Sequence, residues 1–481
     1  MDYFKIFETL SHILLVLTLG YYLITNLQWY NYKLERVIFK HKKISWHIIY
    51  FVLPIFAYYL SGKYFWIYFY LGLIPALFIW KKRLDKPLVF TQRVKRFFII
   101  LLFITLILDA LCLAKFHCKV LSVLIPLIFT YLISTAIEKI AFNSYKKQAQ
   151  KKLEDMDIKI IAITASFGKT SIKNFIHQII SKKFNAYKTP RSVNTLGGLI
   201  KDVNQDLPNT AKVYVAEAGA REKGDIDEIA RFLNHHIAVV GSIGEAHIEY
   251  FKSLENIRNT KMEILNSNRL EKAFIHTSAN VNPKGNQKIE VYGDEIKLIS
   301  SNLDGITFSI MIDQKQEEFF APLLGSFNAI NLTASILVAK ELGMSIDEIK
   351  KALLNLTPVE HRLQKIEAGG KLIIDDSFNG NLEGMISSYE LCSLHEGRKV
   401  IVTPGIVEST CEANQTLAKK IDEVFDIVII TGELNRTILE ENITRTKKII
   451  LKDKTNLQDL LAKETTTGDL IIFSNDAPSF I

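Results

Sequence analysis

Residues 158–173 read IKIIAITASFGKTSIK, and the fold turns on this stretch. The apolar run Ile158 to Ile163 has the length of a buried strand. Behind it Ile172, Phe175, Ile176, Ile179 and Ile180 recur at helical spacing. Strand, loop and helix in that order aim backbone N–H groups and a helix N-terminus at an anion. The loop carries Ser166, Phe167, Gly168, Lys169, Thr170 and Ser171. In such a loop the lysine sits on the outer phosphates and the threonine hydroxyl holds Mg²⁺. The general pattern has glycine where this chain has Ile163, so GKTS alone also reads as a surface turn with a solvated lysine. The strand before it and the amphipathic helix after it favour the phosphate loop.

The chain has 481 residues and is 48% apolar. That length allows three domains. Residues 1–157 hold 21 Lys+Arg against 9 Asp+Glu, a net charge of +12, and the remainder is net −4. The basic character therefore belongs to the N-terminal third and gives no support to nucleic-acid binding. Cys112, Cys118, Cys392 and Cys411 show neither metal-ligand spacing nor a disulfide framework.

Five apolar stretches near membrane-spanning length fall at 9–30, 44–61, 64–80, 97–115 and 119–138. The second and third are short and tightly joined, which also permits a re-entrant pair. No small-residue cleavage site follows the first stretch, and more spans come after it, so a signal peptide is not expected. Lys33, Arg36, Lys40, Lys42 and Lys43 follow the first span. Lys81, Lys82, Arg83, Lys86, Arg93, Lys95 and Arg96 follow the third, and Lys146, Lys147, Lys151 and Lys152 the fifth. The alternate loops carry only Lys63, and Lys115 with Lys119. Positive loops stay inside. The expectation is an N-terminus outside, a cytoplasmic C-terminal two-thirds, and basic loops that favour anionic membrane lipids. Asp109 lies within the fourth stretch, either as a functional acid or as a group paired inside the bundle.

From Ile158 onward apolar strands alternate with helical patterns, which predicts parallel α/β sheets. Strands are expected at 212–217, 237–240 and 273–276, shorter ones over 283–325, then a helix at 330–342. A second α/β unit is expected from Pro358, with strands at 372–374, 400–403, 427–430, 448–451 and 470–473. Polar residues stand at strand ends, where open α/β sheets bind ligands. Glu217 reads as a Mg²⁺ ligand or as a solvated strand end. His247 reads as a ligand or as a structural histidine, and Lys261 as an exposed helix charge. Asp375-Asp376 reads as a site pair or as a helix N-cap.

The order of these pieces carries a resemblance. ITASFGKTS, TPRSVNTLGG, VAEAGAREKGDI, GEAHIEYFKSLENIRNTKMEIL, GSFNAINLTASILVAKELG, EHRLQ and IIDDSFNGNLEGM in register resemble the Mur ligase family over 158–481. The apolar stretches give a membrane-spanning helical region at 1–150, and the resemblance implies a P-loop central ligase domain at 151–357 and a Rossmann-like C-terminal domain at 358–481. It implies an ATP-dependent amide ligase that phosphorylates a carboxylate and lets an amine attack the acyl phosphate. The run IIDDSFNGN points, within the family, to UDP-MurNAc-peptide and D-Ala-D-Ala as substrates. Thr170 and Glu217 are then expected to hold one Mg²⁺ and His247 a second, while Lys261 is expected to be carbamoylated. Lys169, His247 and Lys261 become the catalytic set. Asn328 and Asn331 are expected at the adenine, with Arg362 at phosphate and Asp376 at ribose. Two domains gripping one nucleotide imply closure before chemistry.

The chain departs from the family at Ala165 for glycine, Thr195 and Ser242 for asparagine, Phe327 for histidine and Leu382 for proline. FSNDAPSFI replaces the usual basic C-terminal segment. The family's N-terminal UDP-binding domain is replaced by the apolar region. A sister ligase with another acceptor, lipid-linked included, is therefore a competing reading. A nucleotide-binding membrane scaffold without turnover is a second.

Overall fold

The computed structural model describes residues 3–30, 32–39, 41, 43–84, 87–116, 118, 120–245, 248–282, 288–378, 380–407 and 409–476. His247, Asn379, Lys40, Lys42, Lys86, Lys119 and the last five residues lie outside them. The chain divides into two units, residues 1–145 and 146–481.

In the first unit, four helical segments of the described residues are long and apolar enough to cross a membrane by length and composition: Tyr3–Trp29, Ile44–Lys82, Gln92–Ala114 and Leu124–Asp155. The expected second and third stretches both appear within the track Ile44–Lys82, as helical arms at 44–61 and 65–82. That track is bent at Gly62, whose φ of +53° and ψ of −136° end the helix Leu53–Ser61. The two arms fold together. The rings of Trp46 and Trp80 lie 6.1 Å apart, and those of Tyr58 and Phe65 5.2 Å apart. A straight helix separates residues 46 and 80 by about 50 Å at 1.5 Å per residue. Helix Tyr3–Trp29 packs on Gln92–Leu111, where a Cβ on Gly20 would come within 2.3 Å of Leu101. Small residues permit such approach between helices. Asp109 is buried there and pairs with His12, Nδ1 to Oδ2 at 2.9 Å. Of the two readings of this acid, the pairing within the bundle is the one realised.

The cysteine reading needs correction, because Cys112 and Cys118 form a disulfide. The helix Gln92–Leu111 ends in the wide turn Cys112–Phe116, which brings the two Cα atoms to 5.3 Å, within bridging reach. A spacing of six residues does not announce this, since the turn geometry decides it.

Among the described residues the second unit holds three sheets. The first comprises β1 (Lys159–Thr164), β2 (Ala186–Lys188), β3 (Val213–Glu217), β4 (Ile237–Val240), β5 (Lys272–His276) and β6 (Ile289–Tyr292). Their order is β2-β3-β1-β4-β5-β6, all parallel. β1 is buried on both faces, as a central parallel strand must be. Ile161 and Ile163 enter one core with the helix Lys169–Ile180, while Ile160 and Ala162 enter the other. β2 and β3 lie to one side of β1, and β4 to β6 to the other. The carboxyl end of β1 is therefore a topological switch point, the place where such sheets bind ligands.

β7 (Lys297–Asn302), β8 (Gly305–Ile312) and β9 (Lys315–Ala321) form an antiparallel meander. The helix Asn328–Glu341 then packs against Lys169–Ile180 in the first core. The last sheet joins β10 (Gln364–Ala368), β11 (Lys371–Asp376), β12 (Lys399–Thr403), β13 (Ile427–Ile430), β14 (Lys447–Ile450) and β15 (Leu470–Ser474). Its order is β10-β11-β15-β12-β13-β14, with only β10 antiparallel. β2 and β10 were not expected from the sequence. Both are partly exposed edge strands, β2 of three residues and β10 polar, and neither shows a buried apolar run.

Candidate active site

The loop after β1 carries Ala165 to Gly168. Gly168 is left-handed, at φ +80°, and precedes the helix Lys169–Ile180. That conformation needs glycine, and so does the space: a Cβ there would lie 2.3 Å from the Asn331 Oδ1 atom. Ala165 keeps an ordinary φ, and its buried methyl faces Gly241 at the end of β4, where an added Cβ would meet it at 3.0 Å. The departure at Ala165 is therefore accommodated by Gly241 across the sheet. The N–H groups of Ser166 and Phe167 both donate to the Ser242 carbonyl, at 2.8 and 3.3 Å. The Ser166 hydroxyl donates to the Gly244 carbonyl at 3.0 Å. These two amides tether the loop to its neighbour and are not directed at its mouth, contrary to the general expectation for such a loop. The amides that begin the helix, from Lys169 to Ser171, are the ones a helix leaves without internal acceptors.

Thr170 donates its hydroxyl to Glu217 Oε2 at 3.0 Å. Glu217 ends β3, is 1% exposed, and also accepts from the Asn194 amide at 3.1 Å. Cis ligands of an octahedral Mg²⁺ with bonds of 2.0–2.1 Å lie about 3 Å apart. The Thr170–Glu217 pair therefore fits a shared Mg²⁺. Among the described residues no group of three His, Cys, Asp or Glu side chains is placed to hold a metal. A cation here takes two protein oxygens and completes its shell from phosphate and water, as Mg²⁺ commonly does. His247, the expected ligand of a second ion, lies outside the described residues.

Four buried or largely buried cations surround this carboxylate. Lys169 donates to its own loop's carbonyls, Ala165 at 2.7 Å and Ser166 at 3.2 Å. Burial lowers its pKa, Glu217 raises it and Arg362 lowers it further. Lys261 is buried on the helix Leu254–Met262, not exposed as its local sequence reads. Burial, and then the charge of Lys169, bring its pKa down to about 7. Arg362 stands over the Phe378 ring at 4.8 Å and feels both Glu217 and Asp376. The fourth cation is Lys173, one turn beyond Lys169 and 1% exposed. A cluster this rich in positive charge suits a polyphosphate.

Asp376 ends β11. It accepts from the Leu363 N–H at 3.3 Å and the Ser388 hydroxyl at 2.8 Å. Burial raises its pKa to about 6. Asp375 accepts from His361 Nδ1 at 2.7 Å and from Ser377. The N-cap of the next helix is Asn381, so the capping alternative for the Asp pair is set aside. Asn328 donates to the Leu324 carbonyl, and Asn331 donates to Asn328 while its own oxygen faces Gly168. The structure thus brings Lys169, Thr170, Glu217, Lys261 and Arg362 into one field, with Asn331 at the loop and Asp376 beside Arg362. Sequence reasoning missed Lys173 and His361. A lysine four residues after Lys169 on a helix reads as solvated, and a histidine before Arg362 reads as exposed.

Two opposite pH slopes follow. Asp376 binds its proton more tightly folded than unfolded, so its share of stability falls as pH rises from about 4 to about 6. Lys261 binds its proton less tightly folded, so stability rises with pH from about 7 toward 10.5. Asp376→Asn is expected to remove the acid-side slope and to raise stability at pH 7 by about 2–3 kcal/mol. Urea denaturation of the detergent-solubilised chain at stepped pH checks this; an unchanged slope refutes it.

The Mur ligase middle domain matches residues 163–339. A UDP-N-acetylmuramoyl-tripeptide–D-alanyl-D-alanine ligase of Bacillus subtilis is 28% identical over 350 residues, covering 69% of this chain and 76% of that protein. Over residues 163–339 the chain carries a Mur ligase middle domain, and beyond it the chain is similar to these ligases. A Borreliella burgdorferi ligase of the same description is 27% identical, over 58% of this chain and 64% of that protein. The crystal structure of MurF ligase from Thermotoga maritima in complex with ADP superposes with a TM-score of 0.60 at 24% identity. The match covers 70% of this chain and 80% of that one, and shows the shared fold.

Proposed function

We propose that this chain is a MurF-type Mur ligase of peptidoglycan precursor synthesis, joining D-Ala-D-Ala to UDP-MurNAc-tripeptide at the expense of ATP. The observation that carries the reading is the Thr170–Glu217 oxygen pair, 3.0 Å apart, ringed by Lys169, Lys261 and Arg362. The names of the curated relatives support the choice of substrates.

In this reading the helix N-terminus and Lys169 bind the β- and γ-phosphates, and Arg362 reaches them from the last domain. Lys169 stabilises charge as the γ-phosphoryl moves to the tripeptide carboxylate. Attack of the D-Ala-D-Ala amine on the acyl phosphate expels phosphate and leaves the amide. Mg²⁺, held by Thr170 and Glu217, supplies neutralisation of the phosphate oxygens when bound. Asn328, Asn331 and Asp376 orient the nucleoside, and Lys261, when carbamoylated, presents an anion beside the phosphate site.

We further read the first unit as a multi-pass anchor in the cytoplasmic membrane, in contact with its lipids, with the catalytic domains in the cytoplasm. The alternating loop charges support this. The Cys112–Cys118 bridge lies in a loop those charges place outside, where disulfides persist.

Phosphate release by the full chain in detergent tests the function. Release is expected only with ATP, UDP-MurNAc-tripeptide and D-Ala-D-Ala together. Release that requires a lipid-linked acceptor instead moves the protein to a sister activity, and ATP binding without release under any acceptor makes it a scaffold.

A further inference from the structure

Lys173 has no part in the reaction as described above, yet it is the least exposed cation of the site. Its ammonium lies 3.3 Å from Glu217 Oε2, the same oxygen that accepts from Thr170. It also donates to the Arg191 carbonyl. Arg191 sits in the segment 189–195 with φ +44°, a conformation costly for a residue with a side chain. That segment is tied to the site a second time, since Asn194 donates to Glu217 and its carbonyl accepts from Gly219 N–H. One buried ammonium therefore bridges the candidate metal carboxylate and a strained surface segment. Burying a lysine is costly, and the cost is offset only where the charge is paired and its donors are used.

We propose that Lys173 is a positioning residue of the ligase reaction, which pins the segment 189–195 against Glu217 and weakens the hold of that carboxylate on a divalent cation. The proposal rests on the ligase reading above. Its charge argument is direct. A cation 3.3 Å from a ligand oxygen competes for that oxygen and repels a second cation. Removing the charge makes Glu217 a stronger ligand, while removing the donor frees the Arg191 carbonyl. The two effects have different signs. A residue that only held the fold together would weaken cation binding and segment order alike.

Lys173→Met, which keeps the length of the chain, separates them. Mn²⁺ binding to the full chain in detergent, without nucleotide, is read by electron paramagnetic resonance. The variant is expected to bind Mn²⁺ at least about threefold more tightly. Trypsin cleavage after the exposed Arg191, located by mass spectrometry, is expected to accelerate at least about tenfold as the segment opens. In the phosphate-release assay kcat is expected to fall while the Mg²⁺ concentration at half-maximal rate also falls. Lys173→Arg, which keeps charge and donors, is expected to restore wild-type Mn²⁺ affinity and protection from trypsin. Weaker or unchanged Mn²⁺ binding in Lys173→Met, or unchanged cleavage, overturns the proposal. If Lys173→Met does not fold, Lys173→Gln carries the Mn²⁺ test, and unchanged affinity there is equally decisive. A wild-type chain that releases no phosphate with any acceptor defeats the ligase reading instead, and the two binding and cleavage measurements tell that failure apart from this one.

Discussion

Lys169→Ala is expected to lower ATP-dependent ligation by a factor of about 10³ or more, the scale on which a single preorganised charge donor acts at a transition state. The ammonium sits at the first residue of the helix after the glycine turn, donating to the Ala165 and Ser166 carbonyls of its own loop. In the proposed reaction this ammonium meets the charge that develops on the γ-phosphoryl. The folded protein is expected to survive the change, because the variant removes a partly buried cation whose solvation cost was borne by the fold. Single-turnover phosphate release and a melting curve on the same sample check both halves. Wild-type turnover in Lys169→Ala removes the assigned role.

Lys261→Ala is expected to lower turnover by about a hundredfold or more and to be restored in part by formate or acetate. Carbamoylation requires a neutral amine to take up CO₂. Burial and the neighbouring Lys169 bring Lys261 down to about 7, so the amine is largely neutral above that pH. Once carbamoylated, the residue would exchange a cation that Lys169 repels for an anion that Lys169 attracts. The modification would thereby relieve the like-charge pair of Lys261 and Lys169. Turnover of the alanine variant is measured against carboxylate concentration. Absence of rescue at every concentration argues against the modified lysine. Wild-type turnover that does not depend on bicarbonate after dialysis at low pH argues the same way.

How far each feature was legible depends on the range over which its cause acts. Strand β1, its loop and the following helix were legible because their signal is local: a buried parallel strand is apolar throughout, and the helix behind it is periodic. The same holds for β4 and β13, whose four residues are each fully buried. Thr170, Glu217 and Asp376 were legible as strand-end or loop polar groups in a family order. The edge strands β2 and β10 were not, because one side of an edge lacks a neighbour and no apolar pattern is required there.

Sequence by itself determined the alternation of strands and helices, the strand, loop and helix over 158–180 and the concentration of apolar, basic segments before residue 150. All of these follow from composition and periodicity along the chain. Only the tertiary structure decided that Ala165 is absorbed by Gly241, that Ser166 and Phe167 spend their amides on Ser242, and that Cys112 and Cys118 meet. It also decided that Lys173 and Lys261, indistinguishable in sequence from solvated helix charges, lie buried around one carboxylate. The reason is that burial and electrostatic neighbourhood are properties of packing between distant segments, which no local window of residues contains.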